Sequence, residues 1–431
     1  MTRALALALL LLPAAALAAG EPAADPAAAA PAAGAEPLTL ERAVEIALAH
    51  QPQRAAARAR TRAARARVGQ AAAGLLPQAS ATAGLGRSHA PEPVGTANSV
   101  SLGLQASQLL FDFGQTWNRT GAASASADAA TQDERTTLQS AVLAVRAAWF
   151  NAGAARDLVE VARETLANRE AHLAQVKGFV EVGTRPEIDL AQARADRASA
   201  VVQLIGAEND LATARAQLDQ AMGLDAPSDA PLSAEPYPAV PGEEGTVEEL
   251  LAEALRARPE VASLERQRAA QQATLRSVEG QYGPTLAASG KVGEAGTAVD
   301  DLSRSWSYGL TLTWPLFEGG RTRAQVEEAR ATLDGFDAQE TTLRQQIRLE
   351  LTQARLAVRA ARASLEATGE LVSSARERLR LAEGRYQSGL GSGIELNDAQ
   401  VALTTAEAQE VKARFTLASA RAQLATSLGR V

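Results

Sequence analysis

The residues with chemistry to offer are few and far apart. His50, His89 and His172 are too scattered to suggest a metal site and read as solvated surface. Cysteine is absent, which removes thiolate nucleophiles, disulfides and a lipidated N-terminal cysteine. No G-x-x-x-x-G-K-[ST] pattern occurs, and the glycines of FGQTWNRTG (113–121) lack a phosphate-binding context. Carboxylates stand just after two turns, Asp189 after VGTR and Glu395 with Asp398 after GLGSG, among 50 acids spread along the chain. In the first turn of a helix such acids complement the helix dipole, by about 0.3–1 kcal/mol each. No nucleophile, base and metal set gathers anywhere, so the sequence predicts neither an enzyme nor a cofactor.

The elements that carry these acids follow from composition and period. Of 431 residues, 46% are hydrophobic and only 3% aromatic, with alanine making up much of the apolar share. Alanine is the best helix former and lets helices approach closely. The net charge of −7 gives no basic footprint for nucleic acid. Residues 1–18, with Arg3, the apolar run Ala4 to Leu12 and A-L-A ending at Ala18, read as a secretory signal peptide. Residues 19–37 form an Ala/Pro-rich linker. No later stretch reaches the ~18 apolar residues of a spanning helix, so entry into a membrane would have to be by strands.

The chain repeats itself at an offset of 206 or 207. Pro52 falls on Pro259, Pro77 on Pro284, Leu110-Phe111-Asp112 on Leu316-Phe317-Glu318, Gly183 on Gly389, and Ile188-Asp189-Leu190 on Ile394-Glu395-Leu396. Two copies of one unit are expected, 38–223 and 246–431, joined by the proline-rich segment 224–245. Each copy reads as two shorter helices, a pair of strands, one very long helix and a returning helix. The strands are placed at about 78–89, 98–110, 285–296 and 304–316, and the long helices at about 115–181 and 321–387.

The long helices carry a sustained 3-4 spacing. In the second it runs Ile347, Leu351, Ala354, Val358, Ala361, Leu365, Thr368, Val372, Ala375, Leu379, Ala382, Tyr386. In the first it runs from Leu138 through Val145, Ala152 and Val159 to Val176 and Val180, interrupted by Arg169. Such a period over about five to six heptads means left-handed coiled-coil packing. A helix of about 67 residues is ~100 Å long, the dimension of a spacer.

Helices alone would allow a soluble periplasmic coiled-coil adaptor or structural spacer, and that is the alternative reading. The strands argue against it. From Ser305 to Trp314 one face collects Trp306, Tyr308, Leu310, Leu312 and Trp314, and the other Ser307, Gly309, Thr311 and Thr313. Lengths of 10–12 residues suit tilted strands crossing a bilayer, with aromatics at its interfaces. Four strands cannot close a barrel and an open edge cannot face lipid, so several chains must pool their strands.

The duplicated plan, the junctions LLFDFGQT and PLFEGGRT, and the turns VGTRPEIDLAQAR and YQSGLGSGIELNDAQ resemble the TolC-type outer membrane efflux proteins. The resemblance covers nearly all of the chain after the signal peptide. It implies a mainly α fold: a homotrimer whose long coiled-coil helices form a tunnel through the periplasm, with four strands per chain making one 12-stranded outer-membrane β-barrel. It implies a passive exit duct of a tripartite efflux pump or type I secretion system, docked to a periplasmic adaptor and an inner-membrane transporter. Drug, metal-ion and protein-secretion ducts share the plan.

The same resemblance gives roles to residues. Glu395 and Asp398 match acids that ring the tunnel entrance, Tyr386 a tyrosine that holds it closed, and Asp189 the aspartate which that tyrosine meets. Three copies of each acid around one axis would favour cations and disfavour anions. Val182, Gly183, Thr184 and Arg185, with Gly389, match the tip that meets the adaptor. One departure stands out: where a family member can carry an arginine that ties the entrance shut, this chain has Gly391. Either the latch is weaker here, or Arg185 substitutes from the neighbouring hairpin.

Overall fold

The computed structural model describes residues 37–90, 95–228, 230–233 and 237–430; the signal peptide and nearly all of the Ala/Pro-rich linker lie outside these. Among the described residues the first copy consists of α1 (Leu40–His50), α2 (Pro52–Ala72), β1 (Gln78–Ala90), β2 (Gly95–Phe111), α3 (Gln115–Glu181) and α4 (Glu187–Met222). The second consists of α5 (Val247–Ala257), α6 (Pro259–Glu279), β3 (Thr285–Gly296), β4 (Leu302–Thr313), α7 (Arg321–Gln387) and α8 (Gly393–Ser427). Pro52 and Pro259 each occupy the first position of a helix, where a missing N–H costs nothing. Among these helices none is long and apolar enough to cross a membrane.

The coiled-coil stripe accounts for the packing of α7. From Ile347 onward every buried residue of that helix, through Val358, Val372 and Ala382 to Tyr386, belongs to the 3-4 series. The α3 helix is different, because it packs against helices on several sides. Besides Val145, Ala152 and Val159 it buries a second set, Val142, Trp149, Phe150 and Gly153. At Gly153 a ring of α8 fills the space of a side chain: a Cβ there would lie 2.7 Å from the Phe415 ring. The proline-rich segment is not a free tether. Leu232 and Val240 are buried in the core, and Leu38 forms a parallel bridge with Leu232.

The four strands make one antiparallel sheet in the order β1-β2-β3-β4. The pairings Trp306↔Val292, Tyr308↔Gly290, Leu310↔Ala288 and Leu312↔Leu286 carry the apolar face of β4 onto β3. Val292↔Leu104, Leu104↔Ala81 and Val100↔Leu85 carry it on to β2 and β1. The opposite face presents Thr82, Ser101, Gln105, Ser289, Lys291, Ser307 and Thr311. The strand expected at 304–316 runs instead from 302 to 313, because β4 ends where its partner begins, at Thr285↔Thr313. Trp314 therefore stands one residue beyond the strand and donates its indole N–H to the Tyr282 carbonyl at 3.0 Å.

Sheet and helices meet at a tight corner. Asp112 accepts from the backbone N–H of Gly114 at 3.1 Å and of Thr116 at 2.6 Å, capping α3. Phe113 adopts a left-handed φ of 56°, costing roughly 1–2 kcal/mol for a residue with a side chain. It is held there by packing: its ring lies edge-on to Phe111 at 5.9 Å and against Gly283, where an added Cβ would overlap it. Gly283→Ala is therefore expected to destabilise the corner by about 1–3 kcal/mol, the usual cost of overpacking. A lowered melting temperature of the purified protein would show it; an unchanged one would mean the ring moves freely.

Candidate functional site: the helical tip and the two-faced sheet

At the end far from the sheet, two glycine turns reverse the long helices. Gly183 and Gly389 both have φ of 77°, the left-handed geometry that ends a helix. Thr184 N–H donates to the Phe179 carbonyl at 2.9 Å, and Leu390 N–H to the Arg385 carbonyl at the same distance. The two hairpins, α3–α4 and α7–α8, lie side by side. Between them sits a small apolar cluster of Ala382, Tyr386, Leu396 and Ala399, with Phe179 and Leu379 against it.

Tyr386 is buried at the centre of this tip, 4% exposed. Its hydroxyl makes no hydrogen bond to Asp189. The Arg185 guanidinium lies between the two instead, 4.7 Å over the Tyr386 ring and 3.7 Å from the Asp189 carboxylate. A cation over an aromatic face is attracted by its quadrupole, by about 0.5–2 kcal/mol depending on desolvation. At the turns the hairpins thus meet in a three-part stack, with Arg185 as its middle.

His172, expected on the surface, is half-buried with its ring 5.6 Å from that of Tyr386. Burial lowers its pKa most, and the charges of Arg169 and Arg185 lower it further, against the opposite pull of Asp196 and Asp189. A neutral ring is therefore favoured beside the two guanidiniums.

The two acids on α8 differ in their surroundings. Glu395 lies 3.1 Å from Arg385 Nε, and its N–H is capped by Ser392 Oγ at 3.1 Å. Asp398, one turn on, is exposed and has no ion-pair partner among the described residues. Around them Val182, Ile188, Leu390 and Ile394 present exposed aliphatic side chains, each more than 70% accessible. Val182, Gly183 and Thr184 are exposed at the extreme end, and Arg185 is half-buried. Ile188, Ile394, Arg385 and Arg169 were not singled out as functional from the sequence. Ile188 and Ile394 coincide across the repeat, and Arg169 is the one charged break in its stripe, so those signals were present.

At the other end, no described residue covers the apolar face of the sheet. Tyr308 is 80% exposed and Leu310 68%. Trp306 and Tyr308 stack at 5.7 Å, and the Arg304–Glu294 ion pair at 2.9 Å closes that end of the face. From Trp306 to Trp314 the belt measures about 26 Å along the chain, which at a tilt of about 40° spans ~20 Å of the roughly 25 Å apolar band of outer-membrane barrels.

The sequence profile of the outer membrane efflux protein family matches residues 43–224 and again 250–430. The chain belongs to this family. Among its relatives, the outer membrane efflux protein BepC of Brucella suis is 25% identical over 75% of this chain and 72% of its own. CyaE of Bordetella pertussis is 29% identical over 84% and 78%, and TolC of Escherichia coli 24% over 77% and 70%. A membrane protein from Pseudomonas aeruginosa superposes with a TM-score of 0.79 at 26% identity, over 90% of this chain and 92% of that one. The MtrE outer membrane channel of Neisseria gonorrhoeae superposes at 0.76 with 22% identity, over 91% and 89%, and shows the same fold. Members of the outer membrane efflux family are transport channels. This chain is an exit duct of the Gram-negative outer membrane that extends into the periplasm, and the spacer alternative falls away.

Proposed function

We propose that the duct is a homotrimer whose three sheets close one twelve-stranded barrel, and that the helical tips form a gate lined by Glu395 and Asp398. The observation that carries the first part is the sheet itself: one face apolar and bare, the other polar, and two strands, β1 and β4, with an unpaired edge each. Lipid covers the apolar face, water fills the polar side, and neighbouring copies satisfy the edges. The duct performs no catalysis of its own; energy comes from an inner-membrane transporter. The exposed aliphatic cluster of Val182, Ile188, Leu390 and Ile394 supports docking of a periplasmic adaptor at Val182–Arg185 and Gly389, since such patches mark interaction sites.

In this reading the Arg185 stack over Tyr386, leaning on Asp189, holds the hairpins together in the closed state and stands in for the arginine absent at Gly391. Asp398 dominates selectivity, because Arg385 already offsets much of the charge of Glu395. Conductance across a planar bilayer tests this. Glu395→Ala with Asp398→Ala is expected to lower cation preference, Asp398→Ala alone giving most of the change. Selectivity identical to wild type would remove both acids from the gate.

A further inference from the structure

Arg169 breaks the heptad stripe of α3 and plays no part in the gate described above. It is 8% exposed, within the seam where α3 lies along α8. Its Nη1 donates to Asn397 Oδ1 and to Gln400 Oε1, both at 2.6 Å. Asn397 and Gln400 are three residues apart and share one face of α8. Glu395 and Asp398 share another, and a step of two residues turns an α-helix by about 200°, so the acids lie on nearly the opposite side.

The choice of residue is informative. A buried cation bonded to neutral amides is a poor source of stability, and an apolar side chain at a heptad position commonly packs as well or better. Burial disfavours the charge, and the Asp196 carboxylate on α4 only partly offsets that. What the arrangement does provide is direction, because a guanidinium has fixed donor geometry. The next tie away from the tip is Thr165 Oγ1 to Thr404 Oγ1 at 3.1 Å. Toward the tip the α3–α8 seam continues without a further hydrogen bond among the described residues, through Phe179 and Leu396.

We propose that Arg169 is a positioning residue of the gate: it fixes the rotation of α8 so that Asp398 and Glu395 face the opening, and its two bonds must break when the hairpins part. This rests on the gate reading above. The Arg185 stack joins the turns themselves, whereas Arg169 governs the helix that carries the acids.

Arg169→Met keeps an unbranched apolar stem and removes both donors; Arg169→Lys keeps the charge with a single nitrogen. In the purified channel, Arg169→Met is expected to raise amide hydrogen exchange over residues 393–405 about tenfold, the loss of roughly one charged hydrogen bond. Exchange over residues 347–361 of α7, which lie in a separate core, should stay as it was. In planar bilayers the same variant is expected to raise open probability at least about threefold, by weakening the closed member of a two-state equilibrium. Cation preference should fall, with Arg169→Lys intermediate in both. Should Arg169→Met fail to assemble, Asn397→Ala with Gln400→Ala removes the bonds from the other side. Faster exchange with unaltered open probability and selectivity would reduce Arg169 to a packing residue and overturn the proposal, as would unaltered exchange. Failure of the gate reading has a different signature: Glu395→Ala with Asp398→Ala leaves selectivity unchanged in a channel whose Arg169 is intact.

Discussion

Leu310→Arg is expected to abolish stable insertion into the outer membrane. Leu310 sits mid-belt on β4 between Tyr308 and Leu312, paired with Ala288, with its side chain bare. A charged side chain at the bilayer midplane of a barrel costs about 2–4 kcal/mol, and the three copies of the proposed trimer would bring roughly 6–12 kcal/mol. That is comparable with the whole stability of an ordinary domain, about 5–15 kcal/mol. Thr311→Arg, one residue on and on the polar face, is the control: it should insert, and it should shift conductance toward anions. Membrane fractionation and the yield of detergent-resistant oligomer measure both. Equal insertion of the two variants would mean that the face of Leu310 does not meet lipid, and insertion of Leu310→Arg alone that the faces are assigned the wrong way round.

Glu243→Ala is expected to cost about 3–5 kcal/mol, the penalty for breaking a buried ion pair from one side. Glu243 is 5% exposed. It accepts from Val240 N–H at 3.1 Å and from Arg421 Nε and Nη2 at 3.1 and 3.2 Å, and Arg362 Nη2 reaches it at 2.6 Å. Arg362 can return to water, but Arg421 is largely enclosed and among the described residues would keep only the Tyr237 carbonyl at 3.3 Å.

Burial pushes the Glu243 carboxyl up, and the hydrogen bonds from Arg421 and Val240, with the charges of Arg421 and Arg362, outweigh it, so its pKa lies below the usual value. A depressed carboxyl contributes stability that is fully present above its unfolded pKa, about 4.3, and is lost as pH falls through the lower folded value. Thermal unfolding should therefore separate wild type from Glu243→Gln widely at pH 7, and the gap should narrow below about pH 4. A gap independent of pH would show that the carboxylate is not what Arg421 needs.

Much of the architecture was legible because each element is punctuated twice. The ends of α3 and α7 fall where glycine turns and strand junctions recur at the same offset, and Ile347 to Tyr386 is buried in its expected register. Periodicity reads one stripe per helix, however, and α3 needs two. Trp149 and Phe150 join the core that includes Ala422 of α8, Gly153 lies against Phe415, Val142 is buried beside them in sequence, and nothing local marks any of the four. Prolines made 224–245 look like a connector, while Glu243 and Val240 inside it hold α7 and α8 together. The acids after the two turns can be read off the sequence, but their role at the entrance comes only through resemblance. Their surroundings were not legible, since Arg185 and Tyr386 meet from different copies of the repeat and only the folded hairpins bring them to 4.7 Å.

The two unpaired strand edges also govern how the duct is made. Along β1 and β4 the backbone N–H and C=O groups that no strand of the same chain satisfies would each cost several kcal/mol in hydrocarbon. A single chain therefore has no stepwise route into the bilayer; its helices can pair beforehand, but the committing step takes all the copies together. Yield then depends on gene dosage more steeply than in proportion. A subunit that assembles but cannot insert also spoils the partners it joins. If it is made in equal amount with wild type, only about one in eight of the proposed trimers is free of it.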